Sequence, residues 1–276
     1  MTDVAKEQCE TADIITYYVV PLRADPILGQ LALAMVLSLL LTVPAFLLDD
    51  RLFNGANVWL KPIKFQIALA LYFATLTVYA TWLPEGVMRS TKMRVFLTAV
   101  VVATIAEMLW ISGAAMFATA SHYNPVPLLY AIYAAMGAFA VLLTAVSLVL
   151  GMAFWRDRGS ALPAPFRLSL ALGLIATFVL TLIAAGTLSA LPGHHVGTPV
   201  TGATVPFMGW SREVGDLRVS HFLATHALHV IPVIGLAAMA LRPPRLARLA
   251  VWVGTAGFAA LTLFTFAQAL SGRPFI

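Results

Sequence analysis

Apolar residues along this chain neither alternate nor form a one-sided helical stripe; they come in long unbroken runs separated by short polar stretches. A bilayer core about 30 Å thick is crossed by about 20 helical residues at 1.5 Å rise each. Seven runs of that length are present: Pro26 to Leu48, Pro62 to Leu83, Val95 to Ala118, Pro127 to Phe154, Leu168 to Leu191, Val219 to Leu241 and Leu249 to Leu270. Hydrocarbon offers no partner to an unpaired strand edge, so each run is expected to be a helix. The predicted fold class is all-α: a polytopic membrane protein with seven transmembrane helices in one bundle.

The polar stretches divide the rest. Residues 1–25 carry Asp3, Glu7, Glu10 and Asp13 ahead of a short apolar run, Ile14 to Leu22. A secretory signal begins positive and ends at small residues, so this order predicts a retained polar tail with a short interfacial segment. Residues 26–276 form the transmembrane domain, interrupted by one long loop at 192–217. A connection of that length in a compact bundle is more often a lid or a binding loop than a plain link.

Composition confirms the solvent. The chain of 276 residues is 61% hydrophobic and 11% charged, with a mean hydropathy of +0.90, against about 45–50% and 25% for a soluble domain. A disordered chain, a secreted disulfide scaffold and a nucleic-acid binder are excluded, the last because the cations flank apolar runs instead of clustering on one face. Cys9 is the single cysteine, so no CxxC motif or c-type haem attachment is available.

The net charge of +5 matters through its placement. Arg89, Lys92 and Arg94, then Arg156, Arg158 and Arg167, then Arg242, Arg245 and Arg248 fall in alternate loops. The positive-inside rule puts these loops in the cytoplasm, the amino terminus inside and the carboxyl terminus in the periplasm of a bacterial inner membrane. Lys61 and Lys64, beside Trp59, break the bias by falling on the outer side.

The histidines collect on that outer side, with Asp49, Asp50, Lys61, Lys64, Glu213, Asp216 and Arg218. All six histidines lie there or within the outer-to-middle part of the sixth span. On that span His221, Thr225, His226 and His229 fall within an arc of about 140°, leaving Leu223, Ala227 and Val230 to meet lipid. Glu107 is the only acidic residue well inside a span. An intramembrane carboxyl costs about 2.5–3.5 kcal/mol on insertion scales, so it should face a partner in the bundle interior. Helical rise places Glu107 and His229 both about 17 Å below the outer surface, which predicts one buried site shared by Glu107, His226 and His229. The glycine-rich loop with His194 and His195 would roof this site, with Asp216, Arg218, Lys61 and Lys64 ringing its mouth.

Three chemistries fit these residue types. In the first, His221, His226 and His229 hold a haem b, with Lys61 and Lys64 on a cofactor or quinone and Glu107, Asp216 and Arg218 as reacting groups. In the second, zinc is bound by histidines, His122, His194 and His226 being the candidates, with a carboxylate from Glu107 or Asp216, and activates water against a lipid. In the third, Glu107 and the histidines pass protons in a transporter or relay. Plainer roles exist for the same residues: Lys61 and Lys64 as interfacial anchors, the histidines as interhelical hydrogen-bonding groups, and Glu107 as a structural partner to a span-two lysine or a span-six histidine.

Trp59 to Phe65, Glu107, Ser121-His122-Tyr123-Asn124, Gly209-Trp210-Ser211, Gly215-Asp216-Leu217-Arg218 with His221-Phe222, and Gln268 to Gly272 together span nearly the whole chain. In this set the chain resembles an uncharacterised family of bacterial multi-span membrane proteins, which implies a lipid-embedded bundle and no particular activity. More loosely it is similar to the seven-span zinc hydrolases of the alkaline ceramidase and adiponectin-receptor type. That similarity implies zinc, although those proteins carry an HxxxH pair on the last span, whereas here His221, His226 and His229 lie on the sixth.

Overall fold

A computed structural model describes residues 26–276, except Arg158 and Phe207 and the side chain of Glu85. The expected tail, with its interfacial segment Ile14 to Leu22, lies outside the described residues. Seven long apolar helices follow one another: α1 (Pro26–Leu48), α2 (Leu60–Ala80), α4 (Thr91–Met116), α5 (Pro127–Arg156), α6 (Ala164–Ala190), α7 (Leu217–Ala238) and α8 (Pro244–Leu270), with a single turn α3 (Glu85–Met88) before α4. The chain is a multi-pass membrane protein with a seven-helix bundle. Its flanks carry bare apolar side chains such as Leu40, Leu41, Leu109 and Phe264, the surface that lipid covers.

Local chemistry sets the helix ends. Ser90 caps α4 by accepting from the Met93 amide at 3.3 Å, and proline in the first turn opens α5, α6 and α8, where its missing N–H costs nothing. Helix alternation gathers Arg89, Lys92, Arg94, Arg156, Arg167, Arg242, Arg245 and Arg248 at one end of the bundle, here the arginine face. The opposite end, the histidine face, carries two small hairpins. β1 (Leu52–Phe53) pairs with β2 (Ala56–Asn57) through Asn54 and Gly55, both at positive φ, as a two-residue hairpin turn demands. β3 (His195–Val196) pairs with β4 (Gly215–Asp216), pinning both ends of the long loop.

Packing between helices follows small residues, since lipid is as apolar as leucine and close backbone approach supplies the attraction. A β-carbon on Gly173 of α6 would lie 2.9 Å from Pro232 Cδ and 3.1 Å from the Ala227 carbonyl oxygen of α7; one on Gly235 of α7 would lie 1.9 Å from Ser169 Oγ of α6. These contacts make α6 and α7 the most intimate pair in the bundle. The main apolar core joins Leu28, Phe73, Leu76, Leu97, Leu150, Phe154, Phe166, Leu170, Leu174 and Leu228. Most of these residues belong to the arginine-face half of their helices. The other half of the bundle therefore has room for polar groups.

Candidate functional site

One polar cluster is built where α2 begins. Lys61 Nζ donates to Ser121 Oγ at 2.6 Å and lies 3.1 Å from His122 Nδ1. An ammonium has no lone pair, so His122 Nδ1 accepts and its Nε2 carries the hydrogen. The loop that delivers Ser121 and His122 is fixed by three bonds. Trp110 Nε1 donates to the Ser121 carbonyl at 2.8 Å, Asn124 Oδ1 accepts from the Val126 amide at 3.0 Å, and Tyr123 Oη donates to the Leu188 carbonyl at 2.6 Å. The His122 ring packs on Tyr133, with centroids 4.9 Å apart. Burial, and then the Lys61 charge, hold the His122 imidazole far below its usual range, at about 3. It is a neutral acceptor at physiological pH.

The charge that answers Lys61 is Glu107 of α4. The two are electrostatically coupled without direct ion-pair contact, and the buried Glu107 carboxylate makes no hydrogen bond among the described residues. The expectation that Glu107 joins His226 and His229 is not met: its coupling runs to Lys61, and the imidazole in that cluster is His122. Lys64, one helical turn on, is exposed.

The long loop forms an ordered cover. Asp216 caps α7, accepting from the Arg218 amide at 3.0 Å, the Ser211 amide at 2.9 Å and the Arg218 guanidinium at 2.6 Å. Burial alone would raise its carboxyl, but the hydrogen bonds and charge of Arg218 outweigh it and hold it below the usual carboxylate range. Arg218 Nη2 also reaches the Gly209 carbonyl at 2.6 Å, so the pair closes the loop on the helix start. Glu213 ties the middle of the loop by accepting from the Thr201 hydroxyl and the Thr201 and Ala203 amides; these bonds pull its carboxyl down to about 2. His194 and His195 sit beside Asp216, their rings 4.1 Å apart. Burial first, then Arg218 and His195, keep His194 at about 4, with a smaller contribution from the Lys61 charge.

The histidines of α7 are oriented differently from the expectation. Ala227 is fully buried, while Phe222, Val230, Val233 and Leu236 are exposed. The helix is turned so that Ala227 meets Gly173 of α6, and the bilayer-facing edge carries His226 next to Phe222. The His226 ring stacks on Phe222 at 4.0 Å, and its Nδ1 donates to the Phe222 carbonyl at 2.8 Å. His229 turns toward α2, with Nε2 3.0 Å from Thr75 Oγ1. Thr75 spends its only hydroxyl hydrogen on the Leu71 carbonyl, so His229 donates and its buried Nδ1 is left without a partner. His221 Nδ1 is likewise buried and unpartnered.

The structure thus separates what the sequence grouped. His122 goes with Lys61, His194 with His195 and Asp216, and His226 with Phe222; the zinc set His122, His194 and His226 does not converge, because the three sit on different elements whose packing points them apart. Ring contacts between histidines join only near neighbours in sequence among the described residues, His194 with His195 and His226 with His229. Thr75 gave no signal as a partner because a hydroxyl in an apolar run carries no pattern, and Ser121 was legible as part of the Ser121–Asn124 loop but not as the acceptor of Lys61. A groove of about 540 Å³ lies at the arginine face instead, lined by Trp82, Pro84, Asp157, Ser160 and Leu162 among others. No protein-family profile, no curated protein and no solved structure matches the chain.

Proposed function

We propose that this protein is a proton relay of the transporter type, set in a bacterial cytoplasmic membrane with its histidine face toward the periplasm. Lys61, His122 and Glu107 form the working site. One observation carries the reading: a half-buried ammonium and a buried carboxylate on separate helices are charge partners without touching, and among the described residues the carboxylate has no hydrogen bond to hold its proton state fixed. A pair locked in a direct ion contact would be structural glue. A pair held apart in a dry medium, with a neutral imidazole accepting from the ammonium, can exchange a proton with a water or an anionic ligand that enters the gap. The third N–H of Lys61, beyond its two bonds, faces the same need for an acceptor.

The test is proton flux. Purified protein reconstituted in phosphatidylglycerol/phosphatidylethanolamine vesicles, with a trapped pH dye and a valinomycin-set potassium potential, should acidify or alkalinise the lumen faster than empty vesicles. Glu107→Gln should remove that excess at least 10-fold, and Lys61→Met should do the same. Wild-type flux equal to empty vesicles, or full flux in Glu107→Gln, overturns the relay.

A further inference from the structure

We propose that His194, His195 and Asp216 form a binding site for a first-row divalent transition ion of the zinc class, which fastens the long loop shut. His195 and Asp216 are cross-strand partners in the β3–β4 ladder, so their side chains emerge on one face. The Leu217 amide donates to the His194 carbonyl at 3.0 Å, which holds His194 against the same end of the ladder. One ligand atom from each of the three residues lies within 4.8 Å of the others. His195 Nε2 and Asp216 Oδ2 are 3.6 Å apart, close to the ~3.4 Å edge that two ligands span around a tetrahedral zinc with bonds of about 2.0–2.1 Å.

A second observation points to a ligand there. His195 Nε2 is buried and has no hydrogen-bond partner among the described residues, and a buried nitrogen in that state costs about 1–3 kcal/mol. Asp216 lies too far to satisfy it, yet at the right distance to share an ion with it. Both Asp216 oxygens are already anchored, Oδ1 by the Arg218 amide and Nε and Oδ2 by the Ser211 amide and Arg218 Nη2, bonds that fix the orientation of a ligating carboxylate. An ion on Oδ2 takes the place of the Arg218 Nη2 bond, and Arg218 keeps its Nε bond to Oδ1 and its Nη2 bond to the Gly209 carbonyl. His195 is partly exposed, so an ion and completing waters can arrive from solvent. Two imidazoles and one carboxylate suit zinc and its neighbours in the first row better than magnesium or calcium. An ion bridging residues 194–195 and 216 joins both ends of the loop, independently of whether protons move at Glu107.

The full-length protein, free of any polyhistidine tag, is stripped with chelator in detergent and titrated with zinc chloride, and in parallel with cobalt chloride. One equivalent should bind per chain, with a visible cobalt ligand-field band. Trypsin should cut after Arg212, exposed within the loop, more slowly in the loaded protein. His194→Ala and His195→Ala should each weaken binding by about 10-fold or more and abolish the protection, while His122→Ala and His226→Ala leave both intact. Wild-type protein that takes up less than a tenth of an equivalent overturns the site, and so does unchanged affinity in His195→Ala. Binding that leaves cleavage at Arg212 unaltered overturns the fastening.

Discussion

Lys61 Nζ lies 3.1 Å from His122 Nδ1, an ammonium donating to a buried imidazole. A proton on His122 would both break this bond and set two cations side by side. The fold therefore favours neutral His122, which titrates at about 3 in place of 6.5, and neutral His194, which titrates at about 4 in place of 6.5. Between those values and 6.5 the unfolded chain binds more protons than the folded one, so stability rises with pH through that window. It is complete above about 6.5 and is lost as pH falls toward 4 and below, with a slope approaching about 1.4 kcal/mol per pH unit for each proton. Thermal unfolding in detergent from pH 7 down to pH 4.5 should show the midpoint falling, and His122→Asn should flatten the fall. An identical pH slope in His122→Asn would remove His122 from the balance.

Two aspartates of the histidine face each chelate the arginine two residues on, and burial separates their worth. Asp49 and Arg51 meet at 2.7 Å, with Arg51 51% exposed; Asp216 and Arg218 meet at 2.6 Å, with Asp216 fully enclosed. An exposed pair is screened by water, whereas a buried carboxylate deprived of its cation is left uncompensated. Arg51→Met should barely move the melting midpoint. Arg218→Met should destabilise the protein by about 2 kcal/mol, the figure for a buried pair discounted for the partly exposed guanidinium, and should speed trypsin cleavage at Arg212. Equal effects of the two substitutions would refute the distinction.

The spans were legible because the bilayer imposes a length on apolar runs: Pro26–Leu48 and the Pro127 start of α5 coincide with the expectation. Ends that shifted did so where helix chemistry outruns hydropathy. α8 begins at Pro244, a full turn before the apolar run, because its first turns carry Arg245 and Arg248 toward the headgroups. That the ionisable residues share one half of the bundle was also legible. A span-two lysine was legible as one of two candidate partners for Glu107, but which candidate it pairs with was not, nor was the meeting of His229 with Thr75, since such partners are chosen by the rotation of whole helices. On α7 that rotation is set by the absence of a side chain at Gly173 and Gly235, a property of the interface that the α7 stripe cannot report. The Asn54-Gly55 turn, by contrast, carried a readable hairpin signal that the hydropathy reading passed over.

Gly235 and Ser169 form a lock that can be tested by exchange. A β-carbon at Gly235 would sit 1.9 Å from Ser169 Oγ and 2.4 Å from Ser169 Cβ, but 3.5 Å from the nearest backbone atom, the Pro165 oxygen. The obstruction is therefore one side chain. Gly235→Ala should cost about 1–3 kcal/mol through overpacking, and adding Ser169→Gly should recover most of it, read as the midpoint of thermal unfolding. A double variant no better than Gly235→Ala would mean that the helix backbones, not Ser169, set the spacing.

His229 and Thr75 provide the direct side-chain hydrogen bond between α7 and α2, at 3.0 Å, and Tyr79 adds a bond from its hydroxyl to the Leu228 carbonyl at 2.8 Å. His226, three residues earlier on the same helix, reaches no other helix by hydrogen bond; its Nδ1 contacts are Phe222 and Thr225 of α7 itself. The two histidines should therefore respond in opposite ways. Interhelical hydrogen bonds in membranes couple by about 0.6 kcal/mol on average, so His229→Leu and Thr75→Val should each destabilise and together cost less than their sum by about that amount. His226→Phe keeps a ring on Phe222 and removes polar atoms from the bilayer-facing edge, so it should leave the midpoint unchanged or raise it. Strict additivity of His229→Leu with Thr75→Val would show that the 3.0 Å contact contributes nothing, and a large loss in His226→Phe would show that His226 serves the bundle in a way its position on α7 does not reveal.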